Sequence, residues 1–261
     1  MAIDKVTGKA WADLSEINNV AKADIAKVAG VEAPSSGSGI VTDNLYQYYD
    51  ASDSSSYSGS GTTWTDLQGN YDLTLIGGPV YSSTQPAHFD FDFVNDRARG
   101  ATNYAASSND MSVEVWFRAD SLLLYRYSLV AALEQTSTNR RFLLNIESNN
   151  TLRWIPYNPS GAGMGTLLTT DTVAANTWYH VCGTKSGTTS TIYINGSSSA
   201  SMTLSGSTLG TCDVFGVAER QLTSLDLFNG DISKVRVYSD ALTASEVLQN
   251  YNAEKTYYGH S

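Results

Sequence analysis

Residues 111–120 read MSVEVWFRAD. Val113, Val115 and Phe117 alternate with Glu114 and Trp116, a period of two that belongs to a strand with one face against a core. The same period recurs downstream, in FLLNI at 142–146, LRWI at 152–155, IYI at 192–194 and ISKVRVY at 232–238. Clusters of Gly, Asn, Ser and Thr separate these runs. Many short strands with regular turn punctuation predict an all-β chain, a two-sheet antiparallel sandwich. Asn195-Gly196 directly after IYI is a strong tight-hairpin signal. The stretch TASE at 243–246 is a capping box with Val247, Leu248 and Tyr251 behind it, so one short C-terminal helix is expected.

Upstream of Val41 the pattern changes. Residues 12–31, ADLSEINNVAKADIAKVAGV, nearly repeat themselves at an offset of eleven. Asp13 and Asp24 can serve as N-caps, and Leu14 with Ile17, then Ile25 with Val28, fall on one helical face. Asn19 and Gly30 stand where helices stop. Two helices of one or two turns each are the expectation. Pieces that short are unstable alone and need a partner to fold against. The domain reading is therefore an N-terminal docking segment over 1–35, a Gly/Ser linker over 36–40, and a β domain over 41–261. The docking residues would be Leu14, Ile17, Val20, Ile25, Val28 and Val31.

The 261 residues carry 26 acidic and 16 basic side chains, a net charge of −10. Nucleic-acid affinity comes mostly from cationic contacts, so nucleic acid is excluded as a partner, and anionic membrane surfaces are disfavoured for the same reason. No apolar run is long enough for a membrane-spanning helix, and MAIDKVTGKAW lacks the apolar stretch of a signal peptide. A chain that matures in a reducing cytosol would keep Cys182 and Cys212 as free thiols. No CxxC, HxH or HExxH spacing is present.

Several segments together resemble the concanavalin A-like jelly roll, in its laminin-G-like and pentraxin-like branch. LYQYYDA at 45–51 with Trp64, Asp66 and Leu67 is similar to that family's first strand and loop. FDFVND at 91–96 resembles its FDGVND segment, and MSVEVWFRAD its central strand. WYHV at 178–181 and IYING at 192–196 resemble its paired strands. FNGDI at 228–232 onward resembles its final strand and terminal helix. The repeat at 12–31 and VLQNYNA at 247–253 are similar to structural proteins of tailed bacteriophages. That resemblance implies a virion protein, assembled in the host cytoplasm and exposed on the particle. Residues 1–35 would dock on other virion proteins, and the jelly roll would be displayed for attachment to glycans. Analogy with threefold virion decorations and fibres suggests a homo-trimer. A capsid-decoration or tail-accessory role without sugar binding is the alternative, and a glycan-cleaving enzyme a weaker one.

For chemistry, glycosidases need paired carboxylates. The ExDxE spacing of glycoside hydrolases with this fold is absent, and Glu114 is the only acid in its strand, so no catalytic residues are assigned. Calcium is the one cofactor the sequence suggests, with Asp90, Asp92 and Asp96 as its ligands. A competing reading makes Asp92 and Asp96 turn caps that bond nearby amides. Sugar binding calls for aromatic plates and planar polar groups. Tyr46 and Tyr48 read as core. Arg141, Trp154 and Tyr157 read as partly exposed ligand contacts, because Pro156 and Pro159 open a loop beside them.

Overall fold

The computed structural model describes residues 39–261 apart from 104–107, 123–125, 134–137 and 221–225, and within residues 1–38 the backbone of four short strands. The chain divides into two units, Met1–Gly37 and Ser38–Ser261.

In the first unit β1 (Lys5–Val6) pairs antiparallel with β2 (Lys9–Ala10), and β3 (Glu16–Ile17) pairs with β4 (Val20–Ala21). This corrects the expected first helix. Ile17 lies opposite Val20 across a two-residue gap, which is hairpin register rather than a helical turn. The physical reason is local: both residues are β-branched, which favours extended backbone over a short helix. Leu14, Ile25, Val28 and Val31 lie outside the described residues.

The second unit is a sandwich of two eight-stranded antiparallel sheets. One sheet contains β6 (Thr63–Trp64), β7 (Leu73–Ile76), β10 (Arg97–Ala101) and β12 (Tyr127–Leu133). Its remaining strands are β13 (Arg140–Ile146), β14 (Thr151–Pro156), β15 (Leu167–Thr172) and β19 (Val214–Val217). They run in the order β15-β14-β13-β12-β19-β10-β7-β6. The other sheet contains β5 (Leu45–Asp50), β8 (Val80–Ser82), β9 (His88–Asp92) and β11 (Met111–Ala119). With them stand β16 (Trp178–Ser186), β17 (Thr189–Ile194), β18 (Ser197–Thr203) and β20 (Asn229–Tyr238). Here the order is β18-β17-β16-β11-β20-β9-β8, and β5 shares the edge of β20 with β9. The chain passes from one sheet to the other at β9–β10, β10–β11 and β11–β12, as a jelly roll requires.

The expected central strand is central. β11 pairs along its length with β16 on one side and β20 on the other. The hairpin signal also holds: Asn195 and Gly196 both have positive φ, 49° and 76°, as a two-residue turn of this hand needs. Between the sheets Trp64, Phe89, Phe91, Val115, Phe117, Phe142, Trp154 and Phe215 form one buried core.

β11 departs from simple alternation because both of its faces are buried. Ser112, Glu114 and Trp116 point away from the core and are covered by α1 (Ala244–Glu254) and the 3-10 turn Lys255–Tyr258. Thr243 caps α1 reciprocally with Glu246, as the TASE stretch predicts. Val247, Asn250 and Glu254 are its buried side chains. Trp116 stacks on Tyr258 with ring centroids 3.8 Å apart, and its indole N–H donates to Glu254 at 2.9 Å.

Candidate functional site

The helix covers one of the two outer faces of the sandwich. On the β11 sheet it seals a polar row of Glu114, Arg236, Lys234 and Asp50, joined to Glu254 of the helix. Glu114 is 1% exposed. Burial alone would raise its carboxyl, but His180, with Nε2 3.3 Å away, and then Arg236 bring it down to about 2. This carboxylate is a tie between sheet and helix, out of reach of any substrate.

The outer face of the other sheet carries arginines that reach solvent. Its registers place Arg99, Gly216, Ala131, Leu143 and Ile155 in one row across five strands. Leu143 and Ile155 join Leu133 and Tyr157 in a small apolar cluster on this side. Beside it, Asn145 stands opposite Arg153, and Arg153 stands opposite Leu168 on the edge strand. Leu168 is 45% exposed.

Two groups of ion pairs frame this face. Glu219 accepts from Nε and Nη2 of Arg99 at 2.6 and 2.5 Å, with Arg97 Nε at 3.4 Å. The backbone permits this fork in two ways. Ala218 takes the left-handed conformation, φ 62°, which turns the chain back over the sheet. Gly216 leaves room beneath, since a Cβ there would lie 2.8 Å from Glu219 Cγ. In the second group Glu147 pairs with Arg153 Nε at 2.7 Å and accepts from Arg126 Nε at 3.0 Å. Arg153 Nε also donates to Asn145 Oδ1 at 2.9 Å, and Arg220 donates to Asp226 at 2.9 Å. Five guanidiniums thus meet three carboxylates on a chain whose net charge is −10.

Chemically the arrangement can bind. Each arginine is held by a carboxylate at one edge of its planar fork, leaving the other edge for a ligand oxygen. It is poorly suited to cleave. Burial pushes the Glu147 carboxyl up, but Asn145, Arg153 and Arg126 together bring it below its ordinary value. It is therefore ionised at neutral pH and has no proton for a leaving group. Glu219, its side chain 4% exposed, is gripped by two arginines.

The residues singled out from sequence fall elsewhere. Trp154 is fully buried in the inter-sheet core and donates its indole N–H to Ser190. Arg141 is 3% exposed and donates to the carbonyls of Gly210 and Ser108. Tyr157, also buried, closes the apolar cluster. The expectation that these three are partly exposed is overturned: Pro156 ends a strand in which every side chain except Arg153 is buried. Tyr49, rather than Tyr48, enters the core, and the Tyr48 ring lies over the Arg236 guanidinium. Asp92 Oδ1 accepts from the amides of Val94, Asn95 and Asp96, and Asp96 accepts from the Asp92 amide. These oxygens hold a turn. Among the described residues no group of three or more carboxylate, imidazole or thiol side chains converges to hold a metal ion. Cys182 and Cys212 are buried thiols, and the Cys212 S–H donates to the carbonyl of Val214. No motif announces the arginine face. Arg99 and Glu219 are 120 residues apart, and only the RAR run at 97–99, basic groups flanking the buried Ala98, marks a charged strand face.

Solved structures share this architecture. Trypanosoma rangeli sialidase in complex with sialic acid aligns with a TM-score of 0.63 at 18% identity, over 88% of this chain and 35% of that one. The botulinum neurotoxin serotype D/C binding domain aligns with a TM-score of 0.65 at 14% identity, over 81% and 52%. The receptor binding domain of a botulinum neurotoxin C/D mosaic serotype gives 0.61 at 16% identity, over 84% and 55%. This chain thus spans about a third of the sialidase and about half of each toxin domain. At these identities the likeness is one of fold. No curated protein matches in sequence. The sequence profile of the concanavalin A-like lectin/glucanases superfamily matches residues 95–248, from the turn before β10 into α1. With more than half of its length inside that profile, the chain belongs to the concanavalin A-like lectin/glucanase superfamily.

Proposed function

We propose that the chain is a bacteriophage virion structural protein whose lectin-like domain attaches to host-surface or environmental glycans, with residues 1–35 docking on other virion proteins. The observation that carries attachment is the arginine face: guanidiniums a third to a half exposed, fixed at one edge, beside apolar groups on a sheet that, among the described residues, no helix covers. The mechanism is reversible binding. Guanidinium and amide groups donate to ring oxygens and hydroxyls, while apolar side chains meet the C–H face of the sugar. Glu147 is ionised and Glu114 is sealed under the helix, which argues against acid-catalysed cleavage. The virion setting draws its support from the resemblance of the N-terminal repeat and of residues 247–253 to tailed-phage proteins.

The test uses the full chain, labelled, on candidate host cells and a broad glycan panel, with calcium and with chelator. Saturable binding competed by a soluble sugar, and unchanged by chelator, is the expected result. A folded chain that binds nothing would refute attachment and favour capsid decoration. In that case virions lacking the protein would lose heat stability but still adsorb. Phage carrying a deletion of residues 1–35 should assemble without this protein; incorporation of the truncated chain would remove the docking role.

A further inference from the structure

We propose that the arginine face selects acidic glycans, seating a sugar carboxylate among Arg126, Arg153 and Arg220. This rests on the lectin-like reading above and names the ligand class of that same face.

The first argument is unspent donors. Arg126 uses Nε toward Glu147, Arg153 uses Nε toward Asn145 and Glu147, and Arg220 uses Nη1 toward Asp226. Among the described residues, both terminal nitrogens of Arg126 and Arg153 and the Nη2 of Arg220 remain for a ligand. A carboxylate is planar with two oxygens and matches such a fork better than a lone hydroxyl does.

The second argument is charge. Among the described residues these three guanidiniums meet only Glu147 and Asp226, an excess of positive charge inside an acidic chain. The arginines crowd one another. Burial lowers the Arg153 pKa most; Glu147 opposes that, and the like charges of Arg126 and Arg220 add to it. An incoming anion would relieve this repulsion in a half-buried place where the charge is weakly screened. The third argument is Leu168. It stands opposite Arg153 on the edge strand and is 45% exposed, an apolar neighbour for the ring that bears the acid.

The experiment compares matched polymers on the full chain: a polyuronate, the same polymer after carboxyl reduction, a sulfated form of the reduced polymer, and neutral glycans. The expected result is saturable binding to the polyuronate, at least tenfold weaker to the reduced form. Arg126→Gln and Arg220→Gln, at half-exposed positions where folding tolerates change, should each weaken it severalfold. Arg153→Lys keeps the charge but loses the fork, and should weaken it by about tenfold with unchanged melting. Equal binding to polyuronate and reduced polymer would overturn acid selection and leave the lectin reading standing. Binding to the sulfated form as tight as to the polyuronate, and abolished by moderate salt, would mean unselective charge attraction and would also overturn it. A folded chain that binds none of the polymers would defeat both readings.

Discussion

Glu114 ties the C-terminal helix to the sheet through one oxygen, which accepts from Arg236 and from Asn250, each at 2.9 Å. Its carboxyl lies at about 2 in the folded chain against an ordinary 4.5. A value depressed by folding contributes stability that is complete above the unfolded value and drains as pH falls toward the folded one. Glu114→Gln should therefore cost about 3 kcal/mol at pH 7, because it leaves a buried guanidinium short of a counter-charge. Denaturant titrations at pH 7 and pH 3 should show the gap to wild type narrowing at the lower pH; a variant as stable as wild type at pH 7 would remove the network from the account. At this scale the sequence was only partly legible. The strand around Glu114 could be read, its burial could not, because the covering helix lies 130 residues downstream. Trp154 misled for a similar reason. Its place in the core is set by Gly183 in the other sheet, where a Cβ would come within 2.5 Å of the indole. Nothing beside Trp154 in the chain reports that vacancy.

Elements were the most legible level, wherever the signal was local. The capping box at Thr243 and Glu246 and the turn at Asn195-Gly196 are both present. Thr243→Ala should cost about 1 kcal/mol, since it leaves N-terminal amides of α1 without their acceptor. Thermal melts would measure it, and an unchanged melting temperature would mean that tertiary contacts alone hold the helix. The segment before residue 38 was less legible. A period of three to four over so few residues does not distinguish a short helix from a tight hairpin, and β3 with β4 took the second course. The arginine face was not legible. Its members come from β10, β13, β14 and the segments before β12 and after β13 and β19, and alternation gives each a side of a strand without naming its neighbours.

For the whole molecule, the two-sheet sandwich was readable because many weak strand signals agreed in order, and the profile over residues 95–248 agrees with them. The division at Gly37 and Ser38 predicts that a chain starting at Ser38 melts at the temperature of the full chain. Calorimetry of both would test it; a lowered transition would show that the first unit supports the second. Within the second unit, both ends of the domain come to α1 and the 3-10 turn that follows it. Gln249 donates to the carbonyl of Gly39, Asn250 accepts from the amide of Val41, and Lys255 donates to the carbonyl of Ser261. That closeness makes the fold a candidate for rewiring. A short Gly/Ser bridge from Ser261 to Gly39, with new termini opened in the exposed loop at 58–61, should give a circular permutant with native spectra and native binding. The same adjacency would let the domain be spliced into a surface loop of another protein, entering and leaving at one point, with the arginine sheet on the side away from the graft.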